Sequence, residues 1–355
     1  MRRLLISAAI VIATAASIPS AQAHQTGLAD LRIEDAAGAR PLEGFVWYPT
    51  DATEGAVEAH GNQVWLGIDA IPDAEPAPGR FPLLVLSHGM YGKAMNQSWL
   101  AADLAARGFV VAAVNHPGTS TWSRQPDDAR RMWERPKDVS CVIDHLLSAP
   151  EISAHVDPDR IYMAGHSLGG FTAVALAGGR YDNAGFEAFC ADDPDELVCG
   201  IFARWHVAGT PEDQTRMEAD LSDPRIDGFA IFDLGGTRTF SDASLAAINA
   251  PLLVFGAPRD IDGTGLDLDV ESRALVAALP ADRVRYLEPE TLAHFDFLGE
   301  CRPGALDILK EEEPDDVFVC VEGETERRAD HAMIAREVAG FFDGIRPPGT
   351  AADVQ

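Results

Sequence analysis

Apolar residues in the chain fall into two recurring patterns. Continuous runs such as "FPLLVLSHG" (81–89), "FVVAAVNHPG" (109–118) and "RIYMAG" (160–165) have no polar alternation, the mark of strands buried on both faces. Between them, "NQSWLAADLAARG" (96–108) and "SLGGFTAVALAGG" (167–179) carry helical spacing with a closing glycine. "DDARRMWERPKDVSCVIDHLLSA" (127–149) predicts a further helix, kinked near Pro136. The rhythm resumes with "IDGFAIFDLGG", "PLLVFGA" and "RVRYLEP" as strands. "DASLAAINA" and "VESRALVAAL" are helices, and "RRADHAMIAREVAGFF" is a last amphipathic helix. Strands alternating with helices predict an α/β fold: a mostly parallel central sheet with helices on both faces. "LADLRIEDAAGARPLEGFVWYPT" adds two strands around a glycine turn at the start. Two stretches break the rhythm, about 180–225 and 300–327, and are expected to be loop-rich insertions.

Charge narrows the partners. The chain has 28 basic and 56 acidic residues, a net charge of −28, which repels nucleic-acid phosphates and anionic membrane surfaces. Arg2 and Arg3 precede an apolar stretch from Leu4 to Ile18, and Ala21-Gln22-Ala23 has the form of a cleavage site. Residues 1–23 therefore read as a signal peptide, and 24–355 as a single exported domain without a stable membrane anchor. The loop "ADDPDELV" lies between Cys190 and Cys199, and a second insertion separates Cys301 from Cys320. In an exported chain these spacings predict two local disulfides, leaving Cys141 as a buried free thiol. No C-x-x-C pair is present, so zinc or thioredoxin-like chemistry is not expected.

"GHSLGG" at 165–170 carries the chemistry. Gly165-x-Ser167-x-Gly169, with a strand before it and a helix after it, has the form of a nucleophile elbow. In this turn a serine is held on strained backbone between residues too small to clash. Serine needs a base, and the elbow's fold supplies acid and histidine later in the chain. Of ten histidines only His294 and His331 follow the strand "PLLVF". His294 lies in a loop after a strand and is the expected base. His331 shares a helical face with Ile334 and Val338 and is expected to pack. Asp260 and Asp233 each follow a strand tip. Asp260, after the later strand, is the expected acid, with Asp233 the other candidate. The oxyanion donors are expected at the backbone N–H groups of Met90 and Leu168, with His88 stabilising the loop.

The segments "LLVLSHGMYG", "GFVVAAVNHPGTST", "DPDRIYMAGHSLGG", "PLLVFGAPRD" and "AHFDFLGEC" resemble those of bacterial predicted dienelactone hydrolases. These are α/β-hydrolases related to platelet-activating-factor acetylhydrolases and, more distantly, to cutinase-like polyester hydrolases. The resemblance covers about residues 40–343. It implies a Ser167, Asp260, His294 triad and an oxyanion hole at Met90 and Leu168. It also departs from the group: dienelactone hydrolases proper use a cysteine nucleophile, and the acetylhydrolases carry their acid at the position of Asp233.

The expected activity is cleavage of carboxylic esters, of small-molecule or of lipid or polyester type, with no cofactor. A lactonase, thioesterase or peptidase would use the same residues, and a non-catalytic binding protein of this fold is the alternative of another class. Asp260, Asp262, Thr264, Gly265 and Glu271 also match a calcium-loop pattern. Asp267 stands where that pattern wants an apolar residue and a strand precedes it, so an acidic solvated loop and no metal is the expectation. Trp122, Trp133, Phe202 and Trp205 either line an acyl pocket or pack the insertion onto the core.

Overall fold

A computed structural model of the chain describes residues 23–34, 40–261, 263, 265–321 and 324–345. Residues 1–22 lie outside it, with nearly all of the expected signal peptide. Among the described residues ten strands form one sheet: β1 (Gln25–Ile33), β2 (Leu42–Thr50), β3 (Val57–Ala59), β4 (Ile68–Pro72), β5 (Phe81–Ser87), β6 (Val110–Val114), β7 (Val156–His166), β8 (Gly228–Phe232), β9 (Leu252–Phe255) and β10 (Val284–Leu287). Their order is β10-β9-β8-β7-β5-β6-β2-β1-β4-β3. From β10 to β6 all neighbours are parallel, while β6–β2 and β2–β1 are antiparallel.

The uninterrupted apolar runs are explained by two cores, one on each side of the sheet. Leu83 and Val85 of β5 and Ile161 and Met163 of β7 face the helices Glu134–Ser148 and Leu168–Ala177 through Val139, Ile143, Phe171 and Val174. Leu84 and Leu86 of β5 and Tyr162 and Ala164 of β7 face the helices Ser98–Ala106 and Glu324–Asp343 through Leu100, Leu104, Val338 and Phe342. Successive strand residues point to opposite faces, so a strand covered twice leaves no place for polar alternation.

The expected kink at Pro136 is absent. The segment divides into a short helix, Pro126–Ala129, and a long one starting at Glu134. Pro136 then lies in a first turn, where its missing N–H would have had no helical partner. The first insertion contains helices Asn183–Asp192, Leu197–Trp205 and Pro211–Met217. The second contains helix Ala305–Glu312 and the 3₁₀ turn Pro314–Cys320. Disulfides join Cys190 to Cys199 and Cys301 to Cys320, and Cys141, outside both disulfides, is half-buried rather than buried. No helix among the described residues is long and apolar enough to cross a membrane.

Candidate active site

Strand order reverses between β5 and β7: β6 lies on one side of β5 and the following strand on the other. Loops diverge at such a point and leave a crevice at the strands' carboxyl ends. The loop after β5 and the turn after β7 meet there. Ser167 caps the helix Leu168–Ala177 with φ 54° and ψ −118°, a strained setting for a residue bearing a side chain. The glycines around it are required by contact. A methyl at Gly165 would lie 2.0 Å from Gly169 O, and one at Gly169 would lie 1.9 Å from Ser87 O.

Ser167 Oγ is 3.2 Å from His294 Nε2, and His294 Nδ1 is 2.7 Å from Asp233 Oδ2. His294 opens a 3₁₀ turn, His294–Phe297, in the loop after β10. The Asp233 carboxylate is completely buried. Its Oδ1 accepts from Ala257 N at 3.0 Å, and Ser272 Oγ stands 3.5 Å away. A hydroxyl, an imidazole and a buried carboxylate joined in this order can move a proton off Oγ while holding the ring in one tautomer.

Asp260 is not the residue that meets His294. It lies five residues beyond the end of β9, exposed, with Oδ1 accepting from Gly265 N at 2.7 Å within its own turn. Asp233 directly follows β8, the strand adjoining β7 and therefore nearer the elbow. Glu271, the last residue of the calcium-loop pattern, is buried and turned away from Asp260. Its carboxylate accepts from Gly236 N and Thr237 N, and burial pushes its pKa up to about 7. Asp262 and Thr264 lie outside the described residues. Among the described residues no group of three or more His, Cys, Asp or Glu is placed to hold a metal.

Met90 and Leu168 both line the cavity that contains Ser167 and His294. Leu168 begins its helix, where a backbone N–H has no intrahelical acceptor. His88 fixes the other side: its Nδ1 donates to Gly89 O at 2.7 Å, and its Nε2 accepts from His116 N at 3.0 Å. A trans peptide sets N–H opposite C=O, so holding Gly89 O turns the Met90 N–H away from the His88 ring. Burial keeps the His88 pKa well below the ordinary histidine value, which leaves the ring neutral. His166, which sequence reasoning passed over, donates from Nε2 to the main-chain oxygen of His294 at 2.7 Å, and burial holds it neutral too. Its only sequence signal is its place inside the elbow.

The cavity has a volume of about 580 Å³ and both insertions contribute to it. Leu197, Val198, Ile201 and Phe202 come from the first, and Ile308, Leu309, Phe318 and Val319 from the second. Trp122 and Phe202 line it. Trp133 and Trp205 are buried in packing, and Trp205 Nε1 donates to Tyr91 Oη at 3.0 Å. Three of the most exposed large apolar side chains, Met90, Trp122 and Leu197, stand on its border. His331 is buried away from the cavity. It stacks on Trp99 at 3.6 Å and holds the Asp296 main-chain oxygen at 2.8 Å, which fixes the turn carrying His294.

A structure of ferulic acid esterase from Streptomyces cinnamoneus superposes with a TM-score of 0.61 over 96% of both chains, at 23% identity. The chain has the α/β-hydrolase fold. The family described as serine aminopeptidase S33 matches residues 81–190, which hold β5 through the elbow helix. Cutinase est1 of Thermobifida alba is 30% identical over 101 residues, 28% of this chain and 31% of that protein. Bis(hydroxyethyl) terephthalate hydrolase of Streptomyces coelicolor is 28% identical over 102 residues, 29% of this chain and 30% of that one. The chain thus spans under a third of the length of these relatives.

Proposed function

We propose that the protein is an exported serine hydrolase that cleaves carboxylic esters through an acyl-enzyme. The observation that carries this reading is the unbroken chain Ser167 Oγ–His294–Asp233 opening into a cavity that both insertions line with apolar side chains. Ser167 Oγ attacks the acyl carbon while His294 Nε2 takes its proton, and Asp233 stabilises the imidazolium that results. The N–H groups of Leu168 and Met90 receive the oxyanion. The alcohol leaves with the proton from His294, and water, activated by the same ring, releases the acid. Asp233, in the acetylhydrolase-like position, takes the role expected of Asp260.

Relatives named for cutin, terephthalate-ester and ferulate-ester cleavage support an ester substrate, and the apolar border of the cavity supports one with an apolar arm. Export is supported by the pattern of residues 1–23 and by two disulfides, which persist in oxidising compartments. A second reading, an aminopeptidase, is favoured by the S33 match and by Glu312, Glu313 and Asp316 on the cavity wall, which suit an ammonium group.

Purified protein should react with a fluorophosphonate at Ser167, read by peptide mass, and should turn over p-nitrophenyl esters. Short and long acyl esters, a phospholipid, a polyester and aminoacyl p-nitroanilides form the panel. Turnover of the anilides alone would replace the ester reading by the peptidase one, and no labelling at Ser167 would end both.

A further inference from the structure

We propose that Arg135 is a positioning residue for the oxyanion hole, joining its two halves through one buried guanidinium. The proposal rests on Met90 and Leu168 as the oxyanion donors.

Arg135 is 1% exposed, and all four of its acceptors are neutral. Nη2 donates to the main-chain oxygen of His88, two residues before Met90, and to Ser87 Oγ at 3.1 Å. Nη1 donates to Thr119 Oγ1 at 2.6 Å. Thr119 O in turn accepts from Tyr91 N at 2.8 Å, so this contact braces the far side of the same loop. Nε donates to Thr172 Oγ1 at 2.9 Å, and that hydroxyl donates to Leu168 O at 3.2 Å. One planar fork therefore grips the loop that carries Met90 and the helix turn that carries Leu168. A guanidinium holds such a spacing because its donors are fixed in one plane.

The countercharge arrives by relay. Ser87 Oγ is 2.9 Å from His116 Nε2, and His116 Nδ1 is 2.9 Å from Asp138 Oδ2. Asp138 also accepts from Nε and Nη2 of Arg40, at 2.7 and 2.8 Å. A neutral His116 satisfies every bond: it receives the Ser87 proton and donates to Asp138. Burial, with Arg135 and Arg40 near, holds it neutral. A positive charge thus sits beneath the loop where negative charge develops in an acyl-transfer transition state. Preorganised charge of this kind favours the transition state over the ground state.

The test uses the full protein with R135M, R135K and T172V. The readouts are kcat and KM on a p-nitrophenyl ester, the inhibition constant of a boronic acid that forms a tetrahedral adduct on Ser167, and thermal unfolding. For folded R135M, kcat should fall about 10²–10³-fold, the scale of losing one oxyanion donor, and boronate affinity should fall with it while KM stays within about threefold. R135K, which keeps the charge but not the fork, should recover part of both. T172V, which cuts only the elbow-side strut, should lose ~10-fold in kcat and in boronate affinity. Should R135M fail to fold, T172V decides alone. Wild-type boronate affinity and kcat in R135M or T172V would overturn the proposal, as would a fall in kcat with boronate affinity intact. A wild type that neither labels with fluorophosphonate nor hydrolyses esters would instead overturn the esterase reading beneath it.

Discussion

Two Ser–His–Asp chains run side by side in this molecule. Ser167–His294–Asp233 has hydrogen-bond distances of 3.2 and 2.7 Å, and Ser87–His116–Asp138 has 2.9 and 2.9 Å. By bond pattern the second is the better formed. The difference lies in what surrounds them. Ser167 sits on positive-φ backbone at a cavity, half-buried, beside the first N–H of a helix. Ser87 ends β5 in regular extended structure, 1% exposed, with its oxygen accepting from Arg135, and His116 is 0% exposed. No acyl group can approach Ser87, and its lone pair is already engaged. Under the proposed function, a triad's geometry is not enough to make a nucleophile: access and a place for the oxyanion separate the serine assigned the reaction from the structural one.

Removing one serine hydroxyl from each chain gives the largest contrast. Ser167→Ala should lose ~10⁴-fold or more in turnover with unchanged unfolding, and Ser87→Ala should keep turnover within roughly tenfold. Steady-state kinetics with intact-mass analysis after fluorophosphonate treatment checks both. Equal losses would erase the distinction.

The carboxylates should separate in the opposite sense. Asp233→Asn should cost up to about 10⁴-fold in kcat through loss of charge and tautomer, with modest loss of stability. Asp138→Asn leaves Arg40 and Arg135 without their shared countercharge and His116 without its carboxylate acceptor, so it should cost ~3–5 kcal/mol of stability, measured by denaturant unfolding. Asp260→Asn, exposed in its own turn, should change kcat less than about twofold.

A smaller effect, graded with pH, should come from the structural histidines. Burial lowers His331 to about 3 and His60 to about 4, from 6.5, and drives His88, His116 and His166 well below that value. Each is neutral in the fold but takes a proton in the unfolded chain below its ordinary pKa. The unfolded state therefore binds more protons across that window. The stability these rings contribute is fully present above pH 6.5 and is lost as pH falls toward the folded values. Between pH 6.5 and 4 His331, with its folded value at about 3, should contribute a slope that approaches ~1.4 kcal/mol per pH unit. His331→Gln should be less stable at pH 7 but lose stability less steeply on acidification, by one proton. An unchanged slope would mean that His331 is already charged in the fold.

The sequence by itself determined the alternation of buried strands and helices, because a strand covered on both faces must be apolar at every position. It also determined the elbow, because only glycine fits where a methyl at Gly165 or Gly169 would lie 2 Å or less from a backbone oxygen. These are constraints between near neighbours, and local pattern records them. His294 was legible by its place after a late strand, and the cysteine pairs by short spacing within insertions. The aspartate that meets His294 was decided only by tertiary structure. Asp233 and Asp260 both follow strand tips, and what separates them is the side-by-side order of β7, β8 and β9 together with the way Asp260 folds into its own turn. Arg135 and His116 were invisible for the same reason. Their partners lie 16 to 48 residues away, and nothing in a stretch such as "ERPKDV" says which buried carbonyl a guanidinium will find. Local sequence sets which groups must be buried, and strand order sets which of them meet.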